Sequence, residues 1–114
     1  MFSKIPSEEE MFECFGVSAA AKVPEEGYWC YAFSHDDTEL RLSVNTHETS
    51  IQTQLLVRGE VRMTVSREGL SVLKICGREL LGQFADQAGF HTALVVRPAL
   101  LPACEWSGLV VDEP

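Results

Sequence analysis

Between residues 39 and 65 the chain alternates apolar and polar side chains with a period of two, interrupted only by short turns. Leu40, Leu42 and Val44 alternate with Glu39, Arg41, Ser43 and Asn45. After the turn-like Asn45-Thr46-His47-Glu48, Ile51, Thr53, Leu55 and Val57 take one side and Gln52 and Gln54 the other, and Arg58-Gly59 reverses the chain into Val61, Met63 and Val65. Successive strand residues point to opposite faces of a sheet, so each segment offers one face to a core and one to water. Connections this short can join only antiparallel neighbours, since parallel strands need a crossover of a dozen or more residues. The middle of the chain therefore reads as an antiparallel meander, with Ile51 to Val57 and Val61 to Val65 facing the core on their apolar sides.

The flanks add further elements. Ser7 followed by Glu10 is the capping-box spacing, and Glu8, Glu9 and Glu10 suit the positive end of a helix dipole, which predicts a short helix with Met11, Phe12 and Phe15 as its apolar face and Gly16 as its stop. Ala19, Ala20 and Ala21 extend the helical reading by a turn before Pro24, and Glu25-Glu26-Gly27 reads as a turn. Tyr28 to Phe33 is aromatic and apolar on both faces and predicts a well-buried strand, bounded by turn chemistry from Ser34 to Thr38. Arg67-Glu68-Gly69 leads into a strand from Leu70 to Ile75. From 78 to 88, Leu80, Leu81, Phe84, Ala85 and Ala88 recur at helical spacing and predict a second helix, weakened by Gly82. Phe90 to Val96 and Trp106 to Val111 read as the last strands, separated by Pro98 and Pro102. The expected fold is a single α+β domain over residues 1–114: an antiparallel meander of about six or seven strands, a short N-terminal helix, and a second helix near residues 78–88.

Charge excludes several classes of function. The 17 acids and 9 bases leave a net charge of −8, which repels phosphate backbones and anionic membrane surfaces, so nucleic acid and membrane are not expected partners. Residues 1–57 hold ten acids against Lys4, Lys22 and Arg41, whereas residues 58–114 hold seven acids against six bases, so the acidity belongs to the first half. The start, Met1-Phe2-Ser3-Lys4-Ile5-Pro6, lacks the apolar run of an export signal, and no stretch approaches the roughly 20 apolar residues of a membrane span. The expected compartment is the cytoplasm.

No motif marks a reaction. The glycines form neither a Gly-x-Gly-x-x-Gly nor a Walker pattern, and there is no Gly-x-Ser-x-Gly or His-Glu-x-x-His. Cys14, Cys30, Cys76 and Cys104 show no Cys-x-x-Cys pair and read as reduced core or sub-surface thiols. Of the histidines, His35 and His47 fall in turns and His91 in a strand, and no spacing brings them to carboxylates or thiols, so neither metal nor cofactor is expected. Cys76 alone has an electrostatic argument for reactivity, from Lys74, Arg78 and the start of the second predicted helix.

Surface chemistry remains. The outward face of the meander gathers Arg41, Ser43, Gln52, Gln54, Arg62 and Thr64, a polar face on an otherwise acidic protein. The acids Glu8, Glu9, Glu10, Glu13, Glu25, Glu26, Asp36, Asp37 and Glu39 form a second candidate, suited to steering a basic partner. From these two surfaces, the candidate binding residues are Glu25, Glu26, Asp36, Asp37, Arg41, Gln52, Gln54 and Arg62. The expectation is a non-enzymatic module that binds a basic protein, comparable in size and charge to small immunity proteins, secretion chaperones and antitoxins. The alternatives are a small enzyme or ligand-binding domain with a dispersed site around Cys76 and His91, or a structural subunit of an oligomer.

Overall fold

The computed structural model describes residues 4–86, 89–98 and 102–107. Among them the chain forms one α-helix, α1 (Glu8–Phe15), and nine strands: β1 (Ala21–Val23), β2 (Tyr28–His35), β3 (Thr38–Asn45), β4 (Ser50–Val57), β5 (Glu60–Glu68), β6 (Leu70–Cys76), β7 (Glu79–Asp86), β8 (Gly89–Arg97) and β9 (Ala103–Trp106). The strands make two antiparallel sheets in which every neighbour in space is a neighbour in sequence: β1-β2-β3-β4-β5, then β6-β7-β8-β9. The expected meander is thus two, and it holds more strands than the sequence suggested. The chain passes from one sheet to the other at Gly69, whose φ of 87° lies in the left-handed region that glycine adopts without strain. There the amides of Gly69 and Leu70 both donate to the Thr49 carbonyl, at 2.9 and 3.0 Å, so the joint is tied to the β3–β4 turn.

One apolar core joins the two sheets and the helix. The alternation of β3 places Leu40, Leu42 and Val44 inward, where they meet Tyr31 and Phe33 of β2 and Ile51 of β4. The second sheet contributes Leu70, Leu73, Leu80, Phe84, Ala93, Leu94 and Val96 to the same cluster. Met11 of α1 is fully buried in it, and Phe15 meets Phe33 edge to face with ring centroids 5.9 Å apart. Thr53, buried on the inner face of β4, accepts a hydrogen bond of 2.8 Å from the Trp106 indole of β9, which satisfies both polar groups across the gap between the sheets.

Several expectations are corrected. Residues 79–86 are a strand, not part of a second helix. The buried set there is Leu80, Gly82 and Phe84, a period of two, and the missing side chain at Gly82 erased the alternation and left the remaining apolar residues at apparent helical spacing. Packing favours the glycine, because a Cβ at position 82 would lie 3.0 Å from the Leu94 Cβ and Leu94 would have to shift by a few tenths of an ångström, and the β7–β8 register shifts at the same point. Ala19 to Ala21 do not extend α1: Gly16 ends it in the left-handed region with its amide on the Phe12 carbonyl, and Ala21 starts β1. Phe12 is 59% exposed rather than packed. Val61 and Met63 also face solvent, at 52% and 56%: β5 is an edge strand, and the bulge in it sets Val61 opposite Leu56 and Met63 opposite Leu55, neighbours in β4 that point to opposite faces. The last strand begins at Ala103 and ends at Trp106; the predicted continuation over 108–111 lies outside the described residues.

Candidate interaction surface

The outer face of the first sheet carries part of the polar array read from the sequence. Arg41 of β3 pairs in register with Gln54 of β4, and Ser43 with Gln52. The next strand aligns Thr64 with Gln54 and Ser66 with Gln52. Gln52 Nε2 donates to Ser66 Oγ at 2.9 Å, Gln54 Nε2 to Thr64 Oγ1 at 3.4 Å, and the Arg41 guanidinium holds Glu39 at 2.5 Å. Cross-strand bonds fix the side chains, while each amide keeps an oxygen and a second N–H for a partner. Arg62 stands apart from this array. It is the extra residue where the β4–β5 register shifts between Leu55 and Leu56, and its guanidinium lies 3.2 Å from Glu60 on the exposed edge strand.

The acidic residues do not form one patch. Glu25 and Glu26 belong to a single exposed 3-10 turn, Pro24–Glu26, before β2. Asp36 and Asp37 occupy the reversal after β2, where Asp36 has a φ of 54° and Asp37 pairs with Arg58 at 3.2 Å. The eight residues of β2 put the two pairs at opposite ends of a strand roughly 25 Å long. Glu8, Glu9 and Glu10 form a third group at the start of α1, held by the capping box in which the Glu10 amide donates to Ser7 Oγ at 3.1 Å and the Ser7 amide to Glu10 Oε1 at 3.0 Å.

No protein-family model matches the chain, and no curated protein matches it. The fold nevertheless has a solved counterpart. A chain of the contact-dependent growth inhibition toxin–immunity protein complex from Klebsiella pneumoniae 342 matches it with a TM-score of 0.79, over 94% of this chain and 98% of that one, at 14% sequence identity. At that identity the likeness is one of fold.

The alternative site around Cys76 and His91 is not assembled. Cys76 pairs with Glu79 at one end of β7 and His91 with Phe84, five residues along the same strand, or roughly 17 Å away. The helix whose N-terminus was to activate Cys76 is absent, which removes that part of the argument. Cys14 and Cys76 are exposed, Cys104 is half-buried and only Cys30 is buried, so the thiols are less enclosed than expected. Among the described residues no three His, Cys, Asp or Glu side chains gather as a metal site would require.

A cleft of about 570 Å³ lies between the start of α1 and β2, lined by Ile5, Pro6, Ser7, Glu8, Glu9, Glu10, Trp29, Tyr31 and Thr46. Its floor is Tyr31, buried to 2% exposure, whose hydroxyl has no hydrogen-bond partner among the described residues. Burial, with the Glu8 carboxylate adding to it, pushes this phenol up to about 12. Glu8 itself is held below the usual carboxylate range by its hydrogen bond to Lys22, at 2.5 Å. The Lys22 ammonium also sits 5.7 Å from the centroid of the Trp29 ring. Sequence reasoning did not single out this cleft; the only trace of it was the run of three glutamates inside the capping box.

Proposed function

We propose that this chain is a cytoplasmic immunity-type protein that binds and neutralises a protein toxin, and that it is not an enzyme. The observation that carries the reading is the match of fold over nearly the whole of both chains to a component of a toxin–immunity complex. The net charge of −8, concentrated in residues 1–57, adds the expectation that the toxin surface is basic. In this reading the acids at the two ends of β2 act at long range, raising the encounter rate, and the tied amides of Gln52 and Gln54 supply short-range hydrogen bonds once the surfaces meet. Inhibition then follows from covering the toxin, with no chemistry required of this chain.

The test begins with affinity capture at low salt from the native host, followed by expression of the captured partner. Arrest of growth by the partner alone, relieved when this chain is co-expressed, is the expected result. A partner that is harmless alone, or growth arrest that this chain does not relieve, overturns the immunity reading.

A second reading, a subunit of a homo-oligomer, draws on one observation: β5 is a nine-residue edge strand with Val61 and Met63 exposed. Sedimentation separates the two, since a monomer at high micromolar concentration removes it.

A further inference from the structure

The far end of α1 borders a second cleft, of about 280 Å³, whose apolar walls are Phe15, Val17, Phe33 and Pro98 and whose one charged lining residue is Arg78. The carboxylates nearest in sequence are engaged elsewhere. Glu13, beside Cys14 on α1, lines a different hollow with Glu8, Glu9 and Phe12. Glu79, beside Arg78, lies 2.7 Å from Arg97, which also holds Glu105 at 3.0 Å. Arg41, Arg58 and Arg62 each have a carboxylate of their own, whereas Arg78 has no ion pair among the described residues. In a chain of 17 acids and 9 bases, an apolar cleft whose sole charge is an unpaired arginine reverses the general surface. The cleft is also held in shape. The Cys14 thiol donates to the Gly77 carbonyl at 3.4 Å, tying the end of α1 to the β6–β7 turn that carries Arg78, and the Phe15 and Phe33 rings meet edge to face. A preformed apolar hollow with a few placed polar groups is the usual form of a small-molecule site.

We propose that this cleft binds a small monocarboxylate with an aromatic body, its carboxylate paired to the Arg78 guanidinium and its ring set against Phe15 and Phe33. A guanidinium meets a carboxylate through two parallel N–H bonds, which fixes the acid at the charged end. A third ring extends an edge-to-face pair at the apolar end. The volume falls just under the about 300–1,000 Å³ of sites for drug-sized ligands, so the body is of the size of a single ring. This site goes beyond the immunity reading and does not depend on it.

Cys14 reports on the cleft from within, since its exposed thiol lines it, while Cys76, exposed but outside the lining, serves as the control. The experiment follows alkylation of both thiols by iodoacetamide in the full chain, by mass spectrometry of their peptides, with phenylacetate, phenylacetamide or acetate present. Phenylacetate should slow Cys14 saturably, about threefold at about twice its Kd, and leave Cys76 unchanged. The amide, which lacks the charge, and acetate, which lacks the ring, should each bind at least about tenfold more weakly. Arg78→Gln should weaken phenylacetate to the level of the amide with an unchanged Tm, because the side chain is exposed and makes no ion pair in the free protein. Equal protection by phenylacetate and either control, equal slowing of Cys76, or wild-type affinity in Arg78→Gln overturns the proposal. So does a Cys14 that phenylacetate leaves unprotected, or that resists alkylation in the free chain. Growth rescue by co-expression is independent of these outcomes, so the immunity reading stands or falls on its own test.

Discussion

The two sheets are built by the same rule, strand after strand in chain order, yet they end differently. The four-stranded sheet has an edge, β6, that the chain ties down at one point: the Lys4 amide donates to the Ser71 carbonyl and the Lys4 carbonyl accepts from Leu73, at 3.0 and 2.8 Å. The opposite edge, β9, is only four residues long. The five-stranded sheet has a three-residue edge at β1, but β5 runs for nine residues with no strand beyond it among the described residues. Its exposed Val61 and Met63 are interleaved with Glu60 and Arg62, charges that oppose pairing with another chain. The second sheet thus serves chiefly to complete the core, while the first also faces outward and carries both the tied amide array and the acidic turns.

If the sheets form one cooperative unit, damage to either core face unfolds both. Phe84→Ala and Phe33→Ala should each cost about 3–5 kcal/mol, with a single urea transition seen alike by fluorescence and circular dichroism. Two separate transitions would show that the sheets unfold independently. The next effect belongs to the first sheet alone. Tyr31 has its pKa raised above the unfolded value, so the stability it contributes is whole below pH 10 and is lost as pH rises through about 12. Wild type should lose more stability than Tyr31→Phe across that window, measured by denaturation at each pH. A smaller effect tests the link between sheets: Thr53→Val strands the Trp106 indole and should cost about 1–2 kcal/mol, whereas no change would show the bond to be dispensable. Smallest is the surface. Lysine at positions 25 and 26 should leave stability within about 0.5 kcal/mol and slow association with a basic partner, an effect that vanishes in high salt.

The legible parts of the fold were those where alternation was unbroken. Leu40, Leu42 and Val44 and the capping box of Ser7 and Glu10 gave β3 and α1 nearly residue by residue. Gly82 hid β7 because a strand position filled by a neighbour's side chain carries no apolar residue of its own, and the approach of Leu94 is a tertiary fact. Val61 and Met63 were misplaced for a different reason: the extra residue Arg62 breaks the alternation of β5, and a bulge leaves no mark in an apolar–polar pattern. The candidate surface was partly legible, since Arg41, Gln52 and Gln54 do sit together on one face. Glu25 with Glu26 and Asp36 with Asp37 could not be separated from sequence, as charge totals carry no distance until β2 is known to lie straight between them.

The pairing of every strand with its immediate neighbour in sequence has a kinetic consequence. Each hairpin closes a short loop, so the entropy lost before a contact forms is small, and the mean sequence separation of contacts is low for a protein made almost wholly of strands. Either meander can zip from any of its turns without waiting for the other, and the step that spans the chain is the meeting of two nearly finished sheets about the single residue Gly69. Refolding should therefore be fast for a β protein, with the search reduced to the swing of one sheet against the other.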